Sequence, residues 1–189
     1  MSDTYTDPQT IIDFWREAGP DRWFTANPAF DRLIRRRFLD IYERAALGEL
    51  DVWTEEPTGT LALVILLDQF PRNMFRGHSR MYATDAKALR IARKALSRGD
   101  HLTVGDDINQ FLAMPLMHAE DNEAQEACVA WMVDIDPDNL SFAHEHRDTI
   151  QRFGRFPHRN EILGRDSTEA ERKFLAAGPD SDAVNSTKS

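Results

Sequence analysis

Leu61-Ala62-Leu63-Val64-Ile65-Leu66-Leu67 is a run of seven apolar residues, and reading it as strand or as helix decides the fold. Periodicity does not separate the two in so short a run, because a buried strand and a fully buried helix are both apolar all round. The surroundings do. Neighbouring segments lack the alternation and the Asn-Gly turns that a sheet needs. A helix over about 57–70 is therefore predicted, and a helix that is apolar all round belongs at the centre of a fold.

Outward from this run, helix punctuation recurs in both directions. Asp7-Pro8 reads as an N-cap followed by proline at the first helical position, and Gly19-Pro20 ends that helix after Ile11, Ile12, Phe14 and Trp15. Asn27-Pro28 opens a second helix, in which Phe30, Leu33, Ile34, Phe38, Ile41, Tyr42 and Ala45 keep helical spacing up to Gly48. Residues 21–26 read as a linker whose Trp23 and Phe24 plug onto the core. A helix over 84–98 ends at Gly99. Residues 106–133 read as helical, kinked or split by Pro115. Asp136-Pro137 restarts a helix to about Phe153 and Gly154, and a short helical turn covers 157–163. Thr168-x-x-Glu171 has the form of a capping box for a last helix that stops at Gly178-Pro179. Residues 180–189 are small and polar and are expected to be disordered. The expectation is a single all-α domain over residues 1–179, of about eight helices packed in antiparallel pairs around residues 61–67.

The 189 residues fit one domain, which at this size buries roughly 70% of its unfolded surface without staples. A net charge of −9 argues against a generic nucleic-acid binder, whose affinity comes from neutralising phosphates. The single cysteine, Cys128, excludes an internal disulfide and points to a reducing compartment. It lies in the apolar context Glu-Ala-Cys-Val-Ala-Trp and reads as a small buried hydrophobe. Residues 1–8 are polar with no apolar stretch of a secretory signal. The seven-residue apolar run is far below the roughly 20 residues needed to cross a bilayer. A soluble cytoplasmic protein is expected, with no membrane role and no nucleic-acid partner.

Residues 151–165 carry the densest mixture of charge and apolar area. Arg152, Arg155, Arg159 and Arg165 alternate there with Phe153, Phe156, Ile162 and Leu163, and His158 directly follows a Phe-Pro step. Part of this stretch, Phe156-Pro157-His158-Arg159-Asn160, echoes Phe70-Pro71-Arg72-Asn73 at the end of the apolar helix. In both, Phe packs inward and Pro starts a turn, so that Arg and Asn project where backbone N–H groups are unpaired. A guanidinium with free amides suits an anion. The alternative is that each Arg caps a neighbouring helix and each Asn satisfies a tight turn. Arg72, Asn73, Arg152, Arg155, His158, Arg159 and Asn160 are the candidate ligand-binding residues, and the two echoing junctions are expected to share one cleft.

Histidines and carboxylates give a second set of candidates. His158 or His118 could act as general acid or base near neutral pH, oriented by Glu120 or Asp121. A metal site from His118, Asp121, His144 and His158 is conceivable, but no metal-binding spacing supports it, and helix pairs tied by His–carboxylate hydrogen bonds are the preferred reading. No Gly-x-Ser-x-Gly, P-loop or Gly-x-Gly-x-x-Gly is present, so no cofactor is expected. Arg35-Arg36-Arg37, like Arg90, Arg93, Lys94 and Arg98, reads as a solvated face.

The same residues resemble a bacterial family known as domain of unknown function 924. The resemblance runs from Phe14-Trp15 and Trp23-Phe24 through Leu67-Asp68-Gln69-Phe70-Pro71-Arg72-Asn73 and Pro115-Leu116-Met117-His118-Ala119-Glu120-Asp121. It ends with Arg152-Phe153-Gly154-Arg155-Phe156-Pro157-His158-Arg159-Asn160 and Leu163-Gly164-Arg165-Asp166-Ser167-Thr168. It implies a tetratricopeptide-like α–α superhelix, although no period of about 34 residues is visible in the chain. It implies no reaction. Three functional readings follow from the residues: binding of an anionic small molecule or acidic peptide end in an Arg/His-lined pocket, a small hydrolase or transferase built on a His–carboxylate pair, and a structural interaction module.

Overall fold

Residues 61–67 are helical, and every one of them is at 0% exposure, which decides between strand and helix. The structure, a computed structural model, describes residues 7–178, and all regular elements among the described residues are helical. The expected disorder of residues 180–189 lies outside the described residues. In chain order the α-helices are α1 (Pro8–Ala18), α2 (Pro20–Trp23), α3 (Pro28–Leu47), α4 (Pro57–Val64) and α5 (Phe70–Met74). They are followed by α6 (Asp85–Arg98), α7 (Met114–Met117), α8 (Asn122–Ile135), α9 (Leu140–Phe153) and α10 (Glu169–Ala177). No described helix is long and apolar enough to cross a membrane.

The central helix is surrounded on several sides. α1 and α6 pack on α4, α3 packs on α5, and α7 joins α6 to the α8–α9 pair. Aromatic rings seal the layer between α1, α3 and α5. Phe70 sits 4.9 Å from Phe38 and 5.6 Å from Trp15, ring centre to ring centre, close enough for favourable edge and tilted contacts. Gly59 marks the tightest approach, because a Cβ there would meet the main-chain carbonyl of Trp53. Backbone cannot swing aside as a side chain can. Gly59→Ala is expected to lower stability by about 1–3 kcal/mol through this overpacking, and a urea midpoint equal to that of the parent protein would refute it.

Caps follow the sequence closely. Asp7 accepts from the N–H of Gln9, and Asn27 accepts from those of Ala29 and Phe30. Thr168 and Glu171 close the capping box of α10. Gly48, Gly99 and Gly154 end their helices in the left-handed conformation. Two expectations need correction. The segment 106–133 is split, as one of the two alternatives had it, but Pro115 opens α7 and does not divide a helix, and the pieces are the turn Asn109–Leu112, α7 and α8. Within residues 21–26, Trp23 does reach the core and donates its indole N–H to the Trp15 carbonyl at 2.7 Å, but Phe24 is 60% exposed.

The end of the central helix also departs from expectation. Pro71 does not begin a new helix. α4 continues through a π-helical stretch (Ile65–Gln69) into α5, and the N–H of Phe70 bonds the carbonyl of Ile65, five residues back. Widening the helix here accommodates a proline that would collide with the preceding turn of a regular helix. Pro71 has no N–H to offer the carbonyl of Leu67, and the hydroxyl of buried Thr84 donates to it instead at 2.5 Å. Arg72 and Asn73 thus project from a continuous helix, with no free first-turn amides beside them. The second Phe-Pro step behaves as expected, because Pro157 starts a separate helical turn, Pro157–Arg159.

Candidate functional site

The widened helix points one of its faces into a cavity of about 580 Å³. Gln69, Arg72 and Asn73 line it from one helical face, and Arg76 joins them from the turn that follows α5. Other elements supply an apolar wall of Met81, Met114, Met117 and Met132, with Trp23 and Phe142. His118 and His146 also line the cavity.

His118 is held by the most buried carboxylate of the chain's centre. Asp68 is at 0% exposure, and its two oxygens each lie 2.9 Å from His118 Nδ1. Gln69 Nε2 donates to the same carboxylate at 2.6 Å, and Arg72 Nη1 stands 3.3 Å away. Burial works most strongly against the Asp68 charge. Arg72 and then His118 outweigh it and hold the carboxyl at about 2, below its usual range. An ionised Asp68 only accepts, so Nδ1 of His118 carries the proton and donates it. Nε2 is then the basic nitrogen, and it has no hydrogen-bond partner among the described residues. Burial, followed by the Arg72 charge, lowers the His118 pKa, against the pull of Asp68, which keeps the ring neutral near pH 7.

The main chain around His118 is equally fixed. Wholly buried Gln125 donates to the carbonyls of Met117 and Ala119, at 2.7 and 2.8 Å, and Arg159 Nη2 donates to the carbonyl of His118 itself at 2.9 Å. Ring orientation and backbone position therefore have separate supports, the condition for a preorganised group.

Behind this pair lies a charge cluster. Arg72 binds Asp85 through two parallel bonds of 3.0 Å, and Arg159 Nη1 lies 3.5 Å from the same carboxylate. The Arg159 guanidinium is also sandwiched, 4.6 Å from the centre of Tyr82 and 4.4 Å from that of Phe156. The Phe-Pro echo is thus spatial, since its two arginines meet on one carboxylate. Two guanidiniums face two carboxylates, Asp68 and Asp85, and the buried group is electrically balanced.

Residues 11–179 match the model of a family described as bacterial protein of unknown function, DUF924. The chain belongs to the DUF924 family. It is similar in structure to the protein of unknown function ATU0120 from Agrobacterium tumefaciens, at 47% identity and a TM-score of 0.87, over 90% of this chain and 97% of that one. Among curated proteins nothing matches.

The candidates from the sequence fall into groups in this DUF924 fold. Arg72, Asn73 and His118 line the cavity, whereas Arg152, Arg155, His158, Arg159 and Asn160 are not among its lining residues. Arg152 lies over the rings of Phe153 and Phe174. Arg155 binds Glu171 at 2.6 and 2.9 Å, and Asn160 donates to the Ser167 hydroxyl, contacts that dock α10. His158 keeps one edge exposed beside Phe156, and the protein packed around the rest of its ring, then the charge of Arg159 and His146, push its pKa down to about 4.

The orienting carboxylate needs correction. Glu120 instead accepts from the N–H of Phe156 at 2.8 Å and from Arg165 at 2.7 and 2.9 Å. Asp121 caps α8 and pairs with Arg93. No three His, Cys, Asp or Glu among the described residues are placed to hold a metal, so His118, Asp121, His144 and His158 form no shared site. Cys128 is wholly buried, and burial raises its thiol to about 12, which matches the small buried hydrophobe expected. Sequence reasoning missed the roles of Asp68, Asp85, Arg76, Tyr82 and His146. A signal for Asp68 existed: a carboxylate directly after seven apolar residues must be paired if the helix is buried.

Proposed function

We propose that this protein is a hydrolase acting on a small molecule, with His118 as general base and Asp68 as the carboxylate that orients it. The observation behind this is the 2.9 Å contact of His118 Nδ1 with both oxygens of a fully buried Asp68, on a histidine that lines a 580 Å³ cavity. Nε2 would take a proton from a bound water as the water oxygen attacks the substrate's carbonyl carbon. It would return that proton to the leaving oxygen as the carbon–oxygen bond breaks. Water is the nucleophile in this reading, and the Cys128 thiol, buried, strongly protonated and outside the cavity lining, takes no part.

Two measurements test the proposal. Nitrogen NMR of the histidines is expected to show His118 as the Nδ1–H tautomer at pH 7. Hydrolysis of p-nitrophenyl butanoate is expected to be full at neutral pH and to fall on the acid side, below the ordinary 6.5 of histidine, because the His118 pKa is lowered. An Nε2–H tautomer, or equal turnover by His118→Ala, would end the proposal.

A second reading has its own support. Arg76 is half exposed and lines the cavity, and its Nη1 makes no hydrogen bond among the described residues, while Nε and Nη2 hold Asp31. That free nitrogen could receive a carboxylate or phosphate, so the cavity would serve as the pocket for an anionic small molecule or acidic peptide end.

A further inference from the structure

Four of the chain's six methionines line the cavity: Met81, Met114, Met117 and Met132. They come from three separate elements, the turn Ser79–Tyr82, α7 and α8, so the grouping does not follow from one apolar helix face. Methionine is unbranched and polarisable, and a wall built of it can reshape around a flexible apolar chain. Two of the largest exposed hydrophobic side chains, Phe24 at 60% and Phe142 at 52%, also belong to the lining of this cavity. Exposed aromatic area continuous with an apolar interior marks a contact surface for something outside the chain.

The polar side of the cavity specifies the other end of the ligand. Its formal charges are already matched inside the protein. Arg72 is paired with Asp68 and with Asp85, which also holds Arg159 behind the lining, and Arg76 is held by Asp31 at 2.8 and 3.0 Å. A second anion brought among three carboxylates would gain little from guanidiniums so engaged. Unused hydrogen-bonding capacity is left at Arg76 Nη1 and at His118 Nε2.

We infer that the cavity takes a neutral amphiphile: a flexible linear hydrocarbon chain against the methionines, running out between Phe24 and Phe142, with one uncharged carbonyl head, an ester, beside His118 and the polar face of the helix. The placement of the head next to His118 rests on the general-base reading, whereas the chain and its neutrality rest on the lining alone. An ester head is what His118 would need for hydrolysis.

Binding of the methyl esters of acetic, butanoic and octanoic acids, followed by calorimetry with the intact chain, tests the inference. Affinity is expected to rise by up to about fourfold per methylene, from about 0.8 kcal/mol per buried CH2. Octanoate ion is expected to bind no more tightly than methyl octanoate. Met117→Gln, which replaces a thioether by a polar group of similar length, is expected to flatten the chain-length dependence. Affinity independent of chain length, or octanoate binding more tightly than its ester, overturns the inference. Chain-dependent binding without turnover of any ester would retire the general-base reading and keep this one. Turnover without chain dependence would do the reverse.

Discussion

Asp85→Ala is expected to destabilise the protein by about 3–5 kcal/mol, the cost typical of removing one partner from a buried ion group. Asp85 is the only carboxylate that touches both Arg72 and Arg159 among the described ion pairs, with side-chain exposures of 18%, 16% and 8% for the three. Without it, two guanidiniums confront one remaining carboxylate in a setting that water reaches only at its edge. Burial outweighs the Arg72 charge at Asp85 and raises its carboxyl pKa, so Asp85→Asn, which keeps the shape and removes the charge, should lose less than Asp85→Ala and separate charge from hydrogen bonding. Adding Arg159→Met to Asp85→Ala should restore part of the loss by removing the stranded cation. Urea unfolding of the three variants measures this. A cost below about 0.5 kcal/mol for Asp85→Ala, the range of ordinary surface changes, would show that the cluster is solvated.

The second large effect is expected at Asp68, in turnover. Asp68→Asn should reduce ester hydrolysis by about 10²–10⁴-fold, the usual worth of a positioned general base. A neutral amide neither selects the Nδ1–H tautomer nor stabilises the imidazolium formed when Nε2 takes a proton. The His118 pKa should fall further, since the attraction of Asp68 now partly offsets burial and Arg72. For stability the sign is set by the lowered Asp68 pKa. The contribution of its charge is complete above the ordinary 3.8 and is lost as pH falls through about 2. Asp68→Asn should therefore flatten the acid end of the stability profile as well as lowering stability at neutral pH. Unchanged turnover with a folded Asp68→Asn protein would separate Asp68 from the chemistry.

The all-α fold was legible because its determinants are local. Caps at Asp7, Asn27 and Thr168, glycine stops at 48, 99 and 154, and an apolar run with no alternation all act within a few residues. The candidate site was legible only in part. The textual echo singles out Arg72 and Arg159, and His118 stands in the chain beside two carboxylates. Their partners were not predictable, because Asp68 and Asp85 gain their roles from contacts 50 and 13 residues distant in sequence. Glu120 and Asp121 stand beside His118 in the chain and looked like its orienters, yet their side chains serve Arg165, Arg93 and a helix start. Proximity in sequence misled there because a turn after α7 sends successive side chains in different directions. Pro71 misled for a related reason: a proline normally ends or kinks a helix, and the widening at Ile65–Gln69 that lets this one continue leaves no mark in composition.

That widening has a consequence for how the gene can vary. A π-helical stretch is equivalent to one extra residue threaded into an α-helix. Were residues 65–69 to tighten into regular α-helix with none removed, everything downstream would rotate by about 100°, the angle per residue at 3.6 residues per turn. Gln69, Arg72, Asn73 and Arg76 would then sweep away from the cavity together, while residues 61–64 kept their places in the core. The width of this one turn sets the phase of the whole polar face, and Pro71 is the residue it is widened to admit, so a change at a single position could erase the site without dissolving the centre of the fold.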